Sequence, residues 1–189
     1  MLLENEIQNL VLRAKQGEMQ AFDQIYETYS QRLFNFLFSR LKHRQTAEDL
    51  LHTVFLKAWN NIGTYQQQGA KFSTWLFQIA NYTVIDHWRT KKQTVELDKV
   101  ENLSQLSLNP THYEDYRFLW EAMDKLSLDH RLVLELRFKQ DLTVAETAAV
   151  MKKTLIGVRV LQHRAVKALK KKLEQYQPEK TYDQRPSKK

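Results

Sequence analysis

The chain has 189 residues, no cysteine, four glycines, three prolines and a formal net charge of +7. The lack of cysteine excludes disulfides, thiolate metal sites and a cysteine nucleophile, and the scarcity of glycine and proline points to a mostly helical protein with few tight turns. Charge is unevenly placed: residues 1–94 carry 11 Lys+Arg against 8 Asp+Glu, residues 95–125 carry 3 against 7, and residues 126–189 carry 15 against 7. A basic C-terminal third suits a polyanion such as nucleic acid; a solvated basic surface is the plainer reading of the same charge. The opening MLLENEIQNLVLRAKQGE, with an early acidic pair and no long apolar run, does not read as a secretory signal. No stretch approaches the roughly 18 apolar residues of a membrane span, so the expectation is a cytoplasmic chain with no membrane insertion.

In chain order, residues 5–16 and 19–43 read as helices broken at Gly17. Ala21, Phe22, Ile25, Tyr26, Tyr29, Leu33, Phe36 and Leu37 recur every three to four residues as one buried face. A third helix is predicted from a cap near Thr46 to Asn60, with Leu50, Leu51, Val54, Phe55, Ala58 and Trp59 inward. Gly63 to Lys71 is a loop. A fourth helix runs from Ser73 to about Lys92, burying Trp75, Leu76, Ile79, Ala80, Val84 and Ile85. It ends HWRTKK, and aromatic rings interleave with cations along it, a surface on which single-stranded bases stack while cations hold phosphates. Phe72 and Trp75 are as readily explained as core; Tyr82, His87 and Trp88 are better placed for exposure.

The stretch VELDKVENLSQLSLNPTHYED is polar and acidic and reads as a linker, although Leu97, Val100, Leu103, Leu106 and Leu108 give it some apolar character. Beyond it, Asp141 to Leu173 reads as two helices separated by a very short turn. Thr143 can cap the first, with Glu146 three residues on as in a capping box. Val144, Ala145, Ala148, Ala149 and Met151 supply its apolar face. Thr154 can cap the second, where Leu155, Val158, Ala165, Leu169 and Leu173 recur at helical spacing. The opposite side carries Arg159, Val160, His163, Arg164 and Lys167, the layout of a helix that enters the DNA major groove. The tail QPEKTYDQRPSKK is charged and proline-containing, and disorder is expected there.

Two separate stretches resemble one family. AFDQIYETYSQRLFNFL, AEDLLHTVFLKAW and FSTWLFQIANYTVIDHWR resemble region 2 of bacterial RNA polymerase sigma factors of the compact extracytoplasmic-function (ECF) type. LWEAMDKLSLDHRLVLELRFKQDLTVAETAAVM and VRVLQHRAVKAL resemble region 4 of the same family. The resemblance implies an all-α fold of two small helical domains joined by a linker, with a C-terminal helix-turn-helix. The domains are expected at 1–94 (region 2), 95–118 (acidic linker), 119–176 (region 4) and 177–189 (basic tail).

The implied function is a specificity subunit with no chemistry of its own and no cofactor. It binds core RNA polymerase and directs it to promoter DNA, as duplex and as melted strand. An anti-sigma protein that clamps the two domains together is a further candidate partner. By the same resemblance, Glu48, Asp49, His52 and Thr53 fall on the polymerase-docking surface. Gln66, Gln67, Gln68, Lys71, Asn81, Tyr82, Asp86, Trp88, Arg89, Lys91 and Lys92 fall where the −10 element is melted and held. Thr154, Arg159, Val160, His163, Arg164 and Lys167 fall where the −35 duplex is read.

The chain departs from the family at several of these places. His52 and Thr53 stand where Gln and Glu are usual, and Asn81–Tyr82 where Arg–Asn is common. Lys152 and Lys153 occupy a turn that usually carries Gly and then an aliphatic residue. Gly157 replaces a usual Thr, and Gln162 sits where an apolar residue is expected.

Other readings stand beside this one. A stand-alone dimeric helix-turn-helix regulator explains residues 126–173 but not the aromatic–basic fourth helix. A helical adaptor would use both modules for protein contacts only. An enzyme is disfavoured by the absence of HExxH, a phosphate loop or GxSxG.

Overall fold

The computed structural model describes residues 3–67, 70–94 and 113–175, with side chains over 3–67, 70–91 and 118–175. Residues 95–112 of the linker expected over 95–118, Gln68, the side chain of Lys92 and residues 176–189, which include the expected tail, lie outside the described residues. Helices α1 (Glu4–Lys15), α2 (Met19–Leu41), α3 (Arg44–Asn61) and α4 (Phe72–Thr94) form the N-terminal module, with a short 3-10 turn at Ile62–Thr64. Helices α5 (Tyr113–Asp124), α6 (Leu128–Leu134, continuing as a π turn through Glu135–Lys139), α7 (Val144–Met151) and α8 (Leu155–Glu174) form the C-terminal module. No strand occurs among the described residues.

Local chemistry sets the element ends. Gly17 at φ +89 breaks α1 from α2, a backbone conformation in which an L side chain is strained. The third helix begins earlier than expected, because His43 rather than Thr46 caps it: the His43 ring Nδ1 accepts from the Thr46 N–H at 3.2 Å. Thr143 caps α7 in a reciprocal box, its hydroxyl accepting from Glu146 N–H at 3.2 Å while Glu146 accepts from Thr143 N–H at 2.7 Å. Thr154 caps α8 by accepting from Gly157 N–H at 3.0 Å. Both helix-cap expectations in this hairpin therefore hold.

The N-terminal core is aromatic. Phe36 and Phe77 meet edge-to-face at 5.3 Å, and Phe22 packs between Phe55 and Trp59 at 6.2 and 4.9 Å. Phe72, 1% exposed, packs against Tyr65 at 5.2 Å and Trp75 at 5.4 Å, so Phe72 is core and not a stacking platform. Ile85, expected inside, is 48% exposed, although its neighbour Val84 is fully buried in the core.

The C-terminal module has a smaller core: Leu126, Val133, Leu134, Ala148, Val158 and Ala165. Ala145 and Ala149 face outward, and the buried side of α7 is instead Thr147, Ala148 and Val150. Leu155 is exposed as well. Arg137 ties this module together, donating to the Leu142 carbonyl and to Gln162 Oε1 at 3.1 Å. That contact explains how Gln162 is accommodated at a position expected to be apolar.

The two modules pack directly on one another. Leu132, Leu136, Leu142 and Val150 of the C-terminal module join the N-terminal core. Around this apolar contact, Arg32 donates to the Gln140 carbonyl at 3.0 Å, Lys42 pairs with Asp124 at 2.8 Å, and Ser39 Oγ lies 2.7 and 2.8 Å from the two oxygens of buried Glu135.

Candidate nucleic-acid and polymerase interfaces

Three surfaces hold the residues singled out in the sequence. The first is the outer stripe of α3. Its inner side is fixed by Ala47, Leu50, Leu51, Val54, Phe55 and Ala58, all buried, so helical geometry turns Asp49, His52 and Thr53 outward. Asp49 and His52 are exposed, and Thr53 is half-buried with its hydroxyl on the Asp49 carbonyl at 2.9 Å. Glu48 is held by Arg44 at 2.8 Å, one turn away. Leu56, 62% exposed, shares this stripe and was not singled out from the sequence. Its spacing of seven from Asp49 was the available signal.

The second surface is the loop before α4 together with the outer side of α4. Gln66 and Gln67 are exposed. Lys71 is exposed and lies 3.8 Å from Glu146 of the C-terminal module. Burial raises the pKa of the Glu146 carboxyl. The hydrogen bonds from Thr143 and the charge of Lys71 outweigh that, holding the carboxyl below its usual range. Farther along, Asp86 sits between Arg89 at 3.2 Å and Lys57 at 3.9 Å. Trp88 is 43% exposed with Lys91 over its ring at 5.7 Å. His87 is half-buried, and burial together with Lys91 depresses its pKa. The exposure expected for Trp88 holds, whereas Tyr82 and His87 are only partly accessible.

Asn81 and Tyr82 meet the other module. Asn81 is 4% exposed, and its Nδ2 donates to the Val150 carbonyl at 3.1 Å. Its Oδ1 is buried without a hydrogen-bond partner. The Lys152 ammonium lies over the Tyr82 ring at 4.3 Å. The Val150 and Lys152 contacts come from α7 and the turn after it, some seventy residues later in the chain, and no local pattern could have revealed them.

The third surface is α8. Val158 and Ala165, both fully buried, fix its inner side. Thr154, Arg159, Val160, His163, Arg164 and Lys167 are all exposed. Arg159, Arg164 and Lys167 have no ion-pair partner among the described residues. The turn before α8 is left-handed at Lys152, φ 52, with the N–H groups of Lys152 and Lys153 returning to the carbonyls of Ala149 and Ala148. Lys153 keeps its ammonium outside, paired with Asp129 at 3.1 Å.

Two helical modules, an exposed basic helix behind a tight turn, and an aromatic–basic helix define a two-part DNA-binding protein. Residues 25–94 match the family Sigma-70 region 2, and residues 122–171 match Sigma-70, region 4. The chain is 35% identical over 166 residues to the ECF RNA polymerase sigma factor BldN of Streptomyces coelicolor, covering 85% of this chain and 63% of that protein. It is 31% identical over 166 residues to the ECF RNA polymerase sigma factor SigX of Bacillus subtilis, covering 82% of this chain and 84% of SigX. In fold, it is similar to the sigma factor RpoE solved in complex with the anti-sigma factor NepR from Bartonella quintana. That similarity has a TM-score of 0.73 at 21% identity, over 84% of this chain and 100% of that one. It is also similar to a structure of CnrH in complex with the cytosolic domain of CnrY, with a TM-score of 0.71 at 19% identity over 91% and 99%. The chain belongs to the ECF sigma factors of bacterial RNA polymerase. It is thus a subunit that binds core polymerase and directs promoter-specific initiation, in a family whose members are initiation factors rather than enzymes. A stand-alone regulator has no use for a region 2, which here matches residues 25–94 of the N-terminal module.

Proposed function

We propose that the three surfaces divide the work of promoter-directed initiation. The outer stripe of α3 (Glu48, Asp49, His52, Thr53, extended by Leu56) docks on core polymerase. Gln66, Gln67 and Gln68 of the loop, with Lys71, Tyr82, Asp86, Trp88, Arg89, Lys91, Lys92 and Asn81, bind the −10 element. Extruding a base costs a few kcal/mol, which stacking on Trp88 and edge hydrogen bonds from the glutamines offset. Helix α8 reads the −35 duplex, with Arg159 and Arg164 suited to bidentate contacts and Lys167 to phosphate. The observation that carries this division is the occurrence of both family regions in order, with Arg159, Arg164 and Lys167 of α8 exposed and without an ion-pair partner among the described residues.

The working boundaries are residues 1–94 for region 2, 95–118 for the linker, 119–176 for region 4 and 177–189 for the tail. Helix α5 already begins at Tyr113, inside the linker span. The protein acts in the cytoplasm, without catalysis of its own and without a cofactor. No helix among the described residues is long and apolar enough to cross a membrane. An anti-sigma protein is a proposed partner, because two solved proteins that share this fold are complexes, one with an anti-sigma factor and one with a cytosolic domain.

The packed arrangement bears on this function. For Asn81 to reach a DNA strand, α7 must leave α4, breaking the bond to Val150. Reconstitution with core polymerase on genomic fragments, with sequencing of transcript starts, tests the reading. Discrete starts sharing two upstream motifs, absent without the protein, are expected. DNA binding by the protein alone at a palindrome, with no new starts, would overturn it.

A further inference from the structure

Helix α8 carries an apolar element on its DNA side that its cations do not account for. Ile156 is 73% exposed and Val160 is 43% exposed. At 100° per residue they stand about 40° apart, roughly opposite Val158 and Ala165 on the helix wheel. Their neighbours on the same stripe are Arg159, His163 and Lys167. An isoleucine so exposed adds nothing to the core, and β-branched residues are poorer helix formers than the straight-chain residues usual on a solvated face. Gly157 keeps the first turn slim. A Cβ there would lie 3.0 Å from the Thr154 hydroxyl that caps the helix.

We infer that Ile156 and Val160 are specificity-determining residues that read thymine 5-methyl groups in the major groove of the −35 duplex. This rests on the proposal that α8 is the −35 reader. The occupant follows from charge and shape. The apolar pair is ringed by cations unpaired among the described residues, which suits a polyanion and opposes the apolar face of another protein. Within the major groove, the thymine methyl is the alkyl group that distinguishes one base edge from the rest. Ile156 lies in the first turn of α8, and the N-terminal residues of a recognition helix are the ones that reach base edges. Arg159 lies between the two apolar residues in sequence and can contact guanine or phosphate beside them.

The test uses holoenzyme assembled from core polymerase and the full chain. Promoters are selected from a library randomised over the −35 element. Each selected thymine is then replaced by deoxyuridine, which deletes the methyl and nothing else. Thymine enrichment at one or two positions is expected, with a loss of about fourfold in promoter affinity per methyl removed. At the thymine that its own residue reads, each of Ile156→Ala and Val160→Ala should bind the thymine and uracil promoters equally. Both sites are exposed, so the variants should retain the wild-type helical content.

Wild-type holoenzyme indifferent to uracil, or variants that still prefer thymine, would overturn the inference. Arg159→Ala and Arg164→Ala separate this from failure of the underlying reading. If they abolish −35 selection while uracil has no effect, α8 reads the element without methyl contacts. If they leave selection unchanged, α8 is not the reader, and the methyl inference falls with that reading.

Discussion

The two modules are built from similar helices but bury them differently. In the N-terminal module Phe36, Phe72, Phe77, Ile25, Leu33, Leu37, Leu76, Val54 and Val84 are almost wholly enclosed. In the C-terminal module the larger side chains enclosed to that degree include Leu136, Val133, Val150 and Val158, of which Leu136 and Val150 are packed in the N-terminal module's core. The N-terminal module is therefore a self-contained scaffold, while the C-terminal module leans on it. A domain of some sixty residues is marginal on its own, and leaning compensates for a core of mostly small side chains. The contact it leans with covers Asn81, so stability of the packed form and access to that residue oppose one another.

The largest expected effect is in the scaffold. Phe77→Ala should cost about 3–5 kcal/mol, read by urea unfolding as loss of helical signal from both modules. Leu136→Ala, at about 2–5 kcal/mol by the same relation, should act on one side only. Hydrogen exchange should show α5–α8 deprotected while α1–α4 keep their protection. Equal deprotection of both modules would break the asymmetry.

Glu135 sharpens it further. Burial pushes its carboxyl above the ordinary range, against the opposing pull of the Ser39 hydrogen bond and the charges of Lys139, Arg40 and Arg131. A raised acid binds its proton more tightly in the folded state. Its stabilising contribution is therefore complete below the ordinary Glu value and is lost as pH rises from there through the raised folded pKa. Subtracting the stability curve of Glu135→Gln from that of the wild type should give a difference that falls with rising pH. A flat difference would mean that Glu135 titrates normally in the folded protein.

Asp49→Arg should weaken binding to core polymerase about tenfold, ~1.4 kcal/mol, with helical content unchanged. Arg164→Ala should leave that affinity unaltered. If both variants bind equally poorly, docking is not confined to the N-terminal module.

The smallest effect is expected at Lys152. A non-glycine residue at φ 52 costs roughly 1 kcal/mol, and a cation–π contact at a partly exposed site returns about 0.5–1. Lys152→Gly should therefore change global stability by less than about 0.5 kcal/mol, the difference of those two effects, while increasing exchange at the α4–α7 contact. Unchanged exchange there would show that the Tyr82 contact holds nothing.

The parts legible in the sequence were those written in local chemistry. Thr143 with Glu146, Thr154, and Gly17 fixed helix ends because a cap or a left-handed residue acts within three or four positions. The His43 cap was missed because a ring nitrogen is an uncommon cap acceptor. Ile85 continued the apolar period of α4 onto a side that the fold leaves 48% exposed, beside the fully buried Val84. Asn81 and Tyr82 could be placed on α4 but not in their surroundings, since Val150 and Lys152 come from the other module. The turn at Lys152 shows the reverse case. Glycine would relieve its backbone, yet only a side chain can reach Tyr82, so the departure from the family pattern serves a contact that the sequence alone does not show.

The pairing of the cations sets how the two proposed DNA surfaces respond to salt. A free lysine or arginine that engages a phosphate releases mobile counterions, adding about 0.9 to the slope of log affinity against log salt. Arg159, Arg164 and Lys167 are free in this sense among the described residues. Lys71 and Arg89 already have internal carboxylates, Glu146 and Asp86, standing in for the counterion. Their exchange onto DNA releases fewer ions. Affinity at the −35 element should therefore collapse with ionic strength well before affinity at the −10 element does.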